Sequence, residues 1–179
     1  HRDLHSFPTR GSSDLEINNF EKLTFRNEGN VTIAKLVNTG TLTKDGSGTL
    51  TLTGAASNHS GGAQVNAGTL RLEHAQAVGA KAVSLADSTE LELEFTGNYA
   101  NQITGTGAVY VNAGTDNVLT LTHASNSYSG GTNVVGGTLN VTNFGALGAG
   151  AVHVGPEAAL RLSAPNGSFS QPITGEGST

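Results

Sequence analysis

Apolar residues recur along the chain in short alternating runs. Leu50/Leu52, Leu70/Leu72 and Leu91/Leu93 form one series about 20 residues apart, and Leu119/Leu121, Leu139/Val141 and Leu160/Leu162 form another. An apolar residue at every second position is the period of a strand with one face buried and one solvated. Thr, Val and Leu fill these runs, as a pleated surface prefers. Between them stand Gly61-Gly62, Gly68, Gly79, Gly130-Gly131, Gly136-Gly137 and Gly148, where turns can take a positive φ at no Cβ penalty. Residues 73–82 come nearest to a helical pattern, but Gly79 interrupts them and no apolar face forms.

The two series are copies of one another. With Leu50 set on Leu119, Leu50-Thr51-Leu52-Thr53 falls on Leu119-Thr120-Leu121-Thr122, Ser60-Gly61-Gly62 on Ser129-Gly130-Gly131, and Gly68-Thr69-Leu70 on Gly137-Thr138-Leu139. Residues 50–102 and 119–171 share 20 identities in 53 positions without a gap. One inserted residue, Pro172, then restores Ile103-Thr104-Gly105 on Ile173-Thr174-Gly175. Glycine and threonine bias alone does not produce matches in that order.

Strands without helices are compatible with a sandwich, barrel, propeller or solenoid. A coil of about 20 residues repeated many times favours the solenoid, because one coil cannot bury its apolar face but stacked neighbours share a continuous column. The expected fold is an all-β, right-handed, single-stranded parallel β-helix with coils of about 20–25 residues and no significant helix; the hand follows the rule for crossovers between parallel strands. Residues 16–179 are expected to form one β-helix segment with duplicated units at 50–118 and 119–179. Residues 1–15 lack alternation and repeat register and resemble translated adapter sequence, so a non-native or disordered leader is expected there.

Composition narrows the functional classes. Of the 179 residues 13% are charged, the net charge is -5 and cysteine and methionine are absent. The acidic balance argues against nucleic acid, whose binders need a basic stripe. No 18-residue apolar run is present to span a membrane as a helix. A chain without cysteine must be held by repetition and core packing instead of disulfide staples. With no methionine at position 1, a processed or excised piece is expected.

Particular strings carry a family likeness. Leu42-Thr43-Lys44-Asp45-Gly46-Ser47-Gly48-Thr49-Leu50-Thr51-Leu52 is one. Asn126-Ser127-Tyr128-Ser129-Gly130-Gly131-Thr132, followed by Val134-Val135-Gly136-Gly137-Thr138-Leu139-Asn140-Val141 and Ala146-Leu147-Gly148, is the other. They resemble the autotransporter-associated β-strand repeat, also called the passenger-associated transport repeat. The likeness spans residues 36–177; the first copy departs from it at His59 and Ala63, where the second has Tyr128 and Thr132. The resemblance implies a β-helical passenger exported through an outer-membrane translocator barrel of the same polypeptide and displayed on, or secreted from, a Gram-negative cell. The resemblance does not fix a ligand; a structural or adhesive stalk is expected, with a host-surface or self-association partner and no cofactor.

The chemistry-bearing residues give no catalytic, cofactor-binding or metal site. His59, His74, His123 and His153 correspond to Tyr128, Asn143, Gly54 and Ser84, so none recurs between copies, and all are expected to be solvated turn or face residues. Glu90, Glu92 and Glu94 alternate on one strand and could bind a cation or serve as acid and base. Their counterparts Ala159, Arg161 and Ser163 favour an outward polar face opposite inward Leu91, Leu93 and Phe95. The sequons at Asn30, Asn58, Asn140 and Asn166 are expected to be silent. The glycine-rich stretch of residues 145–150 follows no βαβ pattern, so it reads as a turn and not as a phosphate cradle. Tyr128 and Phe144 could pair for sugar stacking but read better as fillers of coil corners. Two rival classes remain, a carbohydrate-active β-helix (polysaccharide lyase or glycosidase) and a phage-type trimeric fibre. The first needs carboxylate pairs with clustered Arg or Lys, and only nine Lys plus Arg are spread along the chain.

Overall fold

In the computed structural model, residues 16–37, 39–56, 59–164 and 168–178 are described; the leader expected at residues 1–15 lies outside them. The described chain winds into a parallel β-solenoid of about 8 turns. Strand pairing among the described residues is parallel and joins each strand to the coil before or after it, as alternating runs separated by glycine corners require. A single 3-10 turn, Phe144–Leu147, is the one helical element among the described residues.

Three faces carry the strands. The first stacks Lys22–Phe25, Thr41–Lys44, Ala63–Val65, Val83–Leu85 and Ile103–Gly105. The second runs the length of the solenoid: Val31–Ile33, Thr49–Leu52, Thr69–Leu72, Glu90–Leu93 and Ala108–Asn112, then the first part of Thr132–Val141, Val152–Val154 and Ile173–Gly175. The third stacks Gly97–Tyr99, Val118–Leu121, the second part of Thr132–Val141 and Ala158–Leu162. A two-stranded pair, Glu16–Asn18 with Lys35–Val37, lies apart from these.

The pleat sends alternate side chains inward, where like meets like at the roughly 4.8 Å spacing of neighbouring strands. On the second face Leu50, Leu70, Leu91 and Val109 make one inner column, and Leu52, Leu72, Leu93 and Val111 the next. On the third face Leu119, Leu139 and Leu160 form a column, beside Tyr99, Leu121 and Val141. All of these side chains are buried. Leu162 departs from expectation: it is 37% exposed. Pairing beyond its strand reaches only Ser178 over Ala159, so no rung of the described residues covers Leu162.

The two copies do not stack on the same face. Three steps of pairing carry Leu50 through Leu70 and Leu91 to Val109, and Leu119 lies further along the chain, across one corner. The repeat that runs from Leu50 to Leu119 is therefore three coils plus one face. The first copy puts Ala63–Val65 on the first face and Thr69–Leu72 on the second; the second copy moves both roles one face round. The six alternating pairs thus fall into two sets of columns on adjoining faces, where the sequence suggested equivalent places in every coil.

Corner glycines follow the copy and not the face. Positive φ occurs at Gly62 and Gly131, at Gly68 and Gly137, and at Gly79 and Gly148. A Cβ on Gly62 would lie 2.3 Å from the Ala82 carbonyl oxygen, and one on Gly131 would lie 2.8 Å from that of Ala151, the same place one copy later. Gly131→Val combines the left-handed backbone with this clash, so it should cost more than the ~1 kcal/mol of a simple glycine propensity change. A thermal melt left in place by Gly131→Val would show that the corner does not need glycine.

Candidate functional surface

Outward positions of the second face make the longest continuous surface. Strand register aligns Thr32, Thr51, Arg71, Glu92, Tyr110, Asn133, His153 and Thr174, one per coil. Beside this row lie Thr69 and Glu90, with the Thr69 hydroxyl donating to Glu90 Oε2 at 3.3 Å. Glu90, Glu92 and Glu94 share the outer side opposite buried Leu91, Leu93 and Phe95, the arrangement that their alternation predicts. Arg71, one coil below, donates from Nε to Glu92 Oε2 at 2.6 Å and lies 3.7 Å from Glu94. The Glu92 carboxylate raises the Arg71 pKa further above its usual value.

The four histidines of the described region part company. His74 is exposed and His123 half-buried, and their Nδ1 atoms accept from the backbone N–H groups of Gln76 and Ser125, closing local turns. His153 is exposed beside Thr174. His59 corrects the expectation of a solvated ring: it is 6% exposed, with Nδ1 2.6 Å from Thr39 Oγ1 and Nε2 2.9 Å from the Gly62 carbonyl oxygen. Its counterpart Tyr128 is fully buried, with its hydroxyl 2.6 Å from Thr132 Oγ1. Phe144 packs edge-on against Phe169, ring centres 5.8 Å apart. Tyr128 and Phe144 are thus placed in corners.

The remaining candidates are local. The Asn143 side chain accepts from Gly145 N–H at 2.9 Å and caps the 3-10 turn inside the glycine-rich stretch. Asn140 donates to Thr120 Oγ1 and accepts from Ser163, while Asn30 is exposed. Asn58 and Asn166 lie outside the described residues. Among the described residues no three His, Asp or Glu side chains are gathered to hold a metal ion.

One buried charge was missed in the sequence. Lys44 points inward on the first face, paired with Phe25 below and Val65 above, and is 0% exposed. Its ammonium donates to the carbonyls of Gly46 and Ala67, the latter at 3.1 Å. Burial lowers its pKa to about 8, against the opposing pull of Glu28 and Asp45. The signal was present: alternation from inward Leu42 puts Lys44 inward too, and a lysine stem is long enough to carry its charge to the corner carbonyls.

The acidic ladder and the buried lysine each make a measurable claim. Because Arg71 and its partners are partly exposed, Glu90→Gln, Glu92→Gln and Glu94→Gln together should leave the fold intact and lower stability by at most about 1 kcal/mol. Urea titration measures this; a larger loss would make the ladder a structural element. For Lys44, the folded pKa lies below the unfolded one, so between about pH 8 and 10.5 the unfolded chain holds the extra proton. Stability therefore rises with pH through that window. Lys44→Met should flatten the rise in melting temperature; an equal rise in both proteins would place the lysine charge in solvent.

Comparison with known proteins places this architecture. Residues 42–72 and 116–141 match the passenger-associated-transport-repeat family. Both matches end at equivalent positions, Leu72 and Val141, at the close of a strand whose leucines or valines enter the inner columns. No curated protein and no solved structure matches the chain. The chain therefore carries passenger-associated transport repeats, the repeats of autotransporter passengers, wound on stacked coils of a parallel β-solenoid.

Proposed function

We propose that this segment is a non-enzymatic stalk of an autotransporter passenger, a rod that supports surface display, presents distal regions and assists folding during secretion, with adhesion or self-association along its faces. The observation that carries this reading is the unbroken pair of inner columns on the second face, which ties each coil to its neighbours in a line. A solenoid of this kind folds by adding coils to an ordered edge, so a well-packed coil that emerges early can template the rest. The translocator barrel of the same polypeptide is the partner that the repeat family implies. Surface or secreted location is what the same repeat family implies. The acidic ladder reads as an outward polar face, with Glu92 and Glu94 engaged by Arg71.

Leu70 and Leu139 give a matched test. Each is fully buried and paired on both sides, Leu70 between Leu50 and Leu91, Leu139 between Leu119 and Leu160. Either Leu→Ala change should cost about 2–5 kcal/mol. In the full passenger, Leu139→Ala should lower the yield of protease-resistant protein at the cell surface more than Leu70→Ala does, if the second copy, which carries the Tyr128 and Thr132 of the repeat, lies towards the barrel end and emerges first as the resemblance implies. Protease shaving of displayed cells reads the yield. Equal losses would remove any special part of the second copy in secretion.

A further inference from the structure

The two copies solve one packing problem with different chemistry. At the corner before each Gly-Gly pair, a large polar side chain is enclosed between coils. In the second copy it is Tyr128, whose hydroxyl meets Thr132 within its own coil. In the first copy Ala63 replaces that threonine, and the partner comes from the coil below: Thr39, buried, faces His59 Nδ1 at 2.6 Å. By strand register the residue in the place of Thr39 beneath Tyr128 is Thr106, so what differs between the copies is the residue after the Gly-Gly pair, Ala63 or Thr132.

The geometry fixes the protonation state that fits. A carbonyl oxygen only accepts, so His59 Nε2, 2.9 Å from Gly62 O, carries a hydrogen. In the neutral ring Nδ1 then accepts from the Thr39 hydroxyl, and both ring nitrogens are satisfied. A second proton on Nδ1 forces the Thr39 hydroxyl to turn round and leaves a cation in a dry corner. Among the described residues nothing nearby offsets that charge. On the segments packed round the ring the ionisable residues are Glu21, beneath Gly40, Lys81, beside Gly62, and Glu73 and His74 in the turn above. All four side chains are exposed, and none is hydrogen-bonded to the ring. Burial accordingly lowers the His59 pKa below its usual value, with the Gly62 carbonyl opposing. The ring also seals a junction: Ser60 N–H donates to Thr39 O, and a Cβ on Gly79 would lie 2.5 Å from His59 O.

We propose that His59 is an acid-sensitive latch, and that protonation of its buried ring loosens the corner joining the coils of Thr39, His59 and Gly79 while the equivalent corner at Tyr128 stays closed. The sign follows from proton linkage. Below the ordinary histidine range the opened corner binds a proton that the closed one excludes, so closure weakens as pH falls from about 6.5 toward the folded value. A phenol takes up no proton there, so the second copy is an internal control.

Hydrogen exchange of the intact segment at pH 7.5 and 5.5, corrected for intrinsic rates, tests the latch. Protection of residues 59–63 and 79 should fall by up to roughly tenfold at the lower pH, at most about 1.4 kcal/mol in the free energy of opening. Protection of residues 128–132 and 148 should hold. His59→Gln, whose carboxamide can accept from Thr39 and donate to Gly62, should abolish the acid loss. His59→Tyr with Ala63→Thr, which imports the second copy's pair, should do the same if the glutamine variant folds poorly. An acid loss equal in both corners, or one that persists in a folded variant, would overturn the proposal. So would a proton titration of the His59 ring by NMR with a midpoint at or above those of His74, His123 and His153.

Discussion

A coil of this chain holds strands mostly of three to five residues, far too short to keep their shape alone. Each strand depends on parallel in-register pairing with the coil before and the coil after. The same contact supplies its backbone hydrogen bonds and the cover for its inward side chains. Once register is set, a leucine lies on a leucine and a corner glycine beneath a carbonyl one coil away. A slip of one residue would turn every inward leucine to solvent. Exposure of Leu162, where the stack of described rungs stops, shows the same dependence from the other side.

That dependence makes the corners the exacting part of the fold. Strand interiors need only an apolar residue of fair size, and Leu, Val and Ile exchange freely along the columns. Corners bring backbone within touching distance of backbone, so glycine recurs there with positive φ. Their remaining polar atoms are met by asparagines that bridge coils. Asn126 accepts from Ile103 N–H and donates to Ala146 O, and Asn101 donates to the carbonyls of Gly79 and Lys81. His59, Tyr128 and Lys44 belong to this class of corner groups. The two copies share corner geometry while differing in the groups that fill it, which is how chemistry can vary on a constant rod.

Surface and core consequently divide the functional reading. The inner columns account for the stacking of the solenoid. The outward ladder, with Arg71, Glu92, Tyr110, Asn133 and His153 in register, can change residue by residue without touching the core. Variation is free there because the solvated side of a sheet contributes nothing to the packing of the inner columns.

Much of this was legible in the residues. Alternation gave the inward leucines, the roughly 20-residue spacing gave parallel coils, and recurring glycines gave the corners, because each is a local consequence of pleat and backbone sterics. The string Leu42-Thr43-Lys44 even carried the inward direction of Lys44. What the order of residues left open was how far each coil runs round the axis. Since one repeat makes three coils and one face, only pairing across coils could decide that the second copy sits one face further round. Burial of His59 was decided in the same way. Its partners Thr39 and Gly79 stand 20 residues before and after it. Enclosure by segments that distant is a property of the stacked solenoid and of no single stretch of chain.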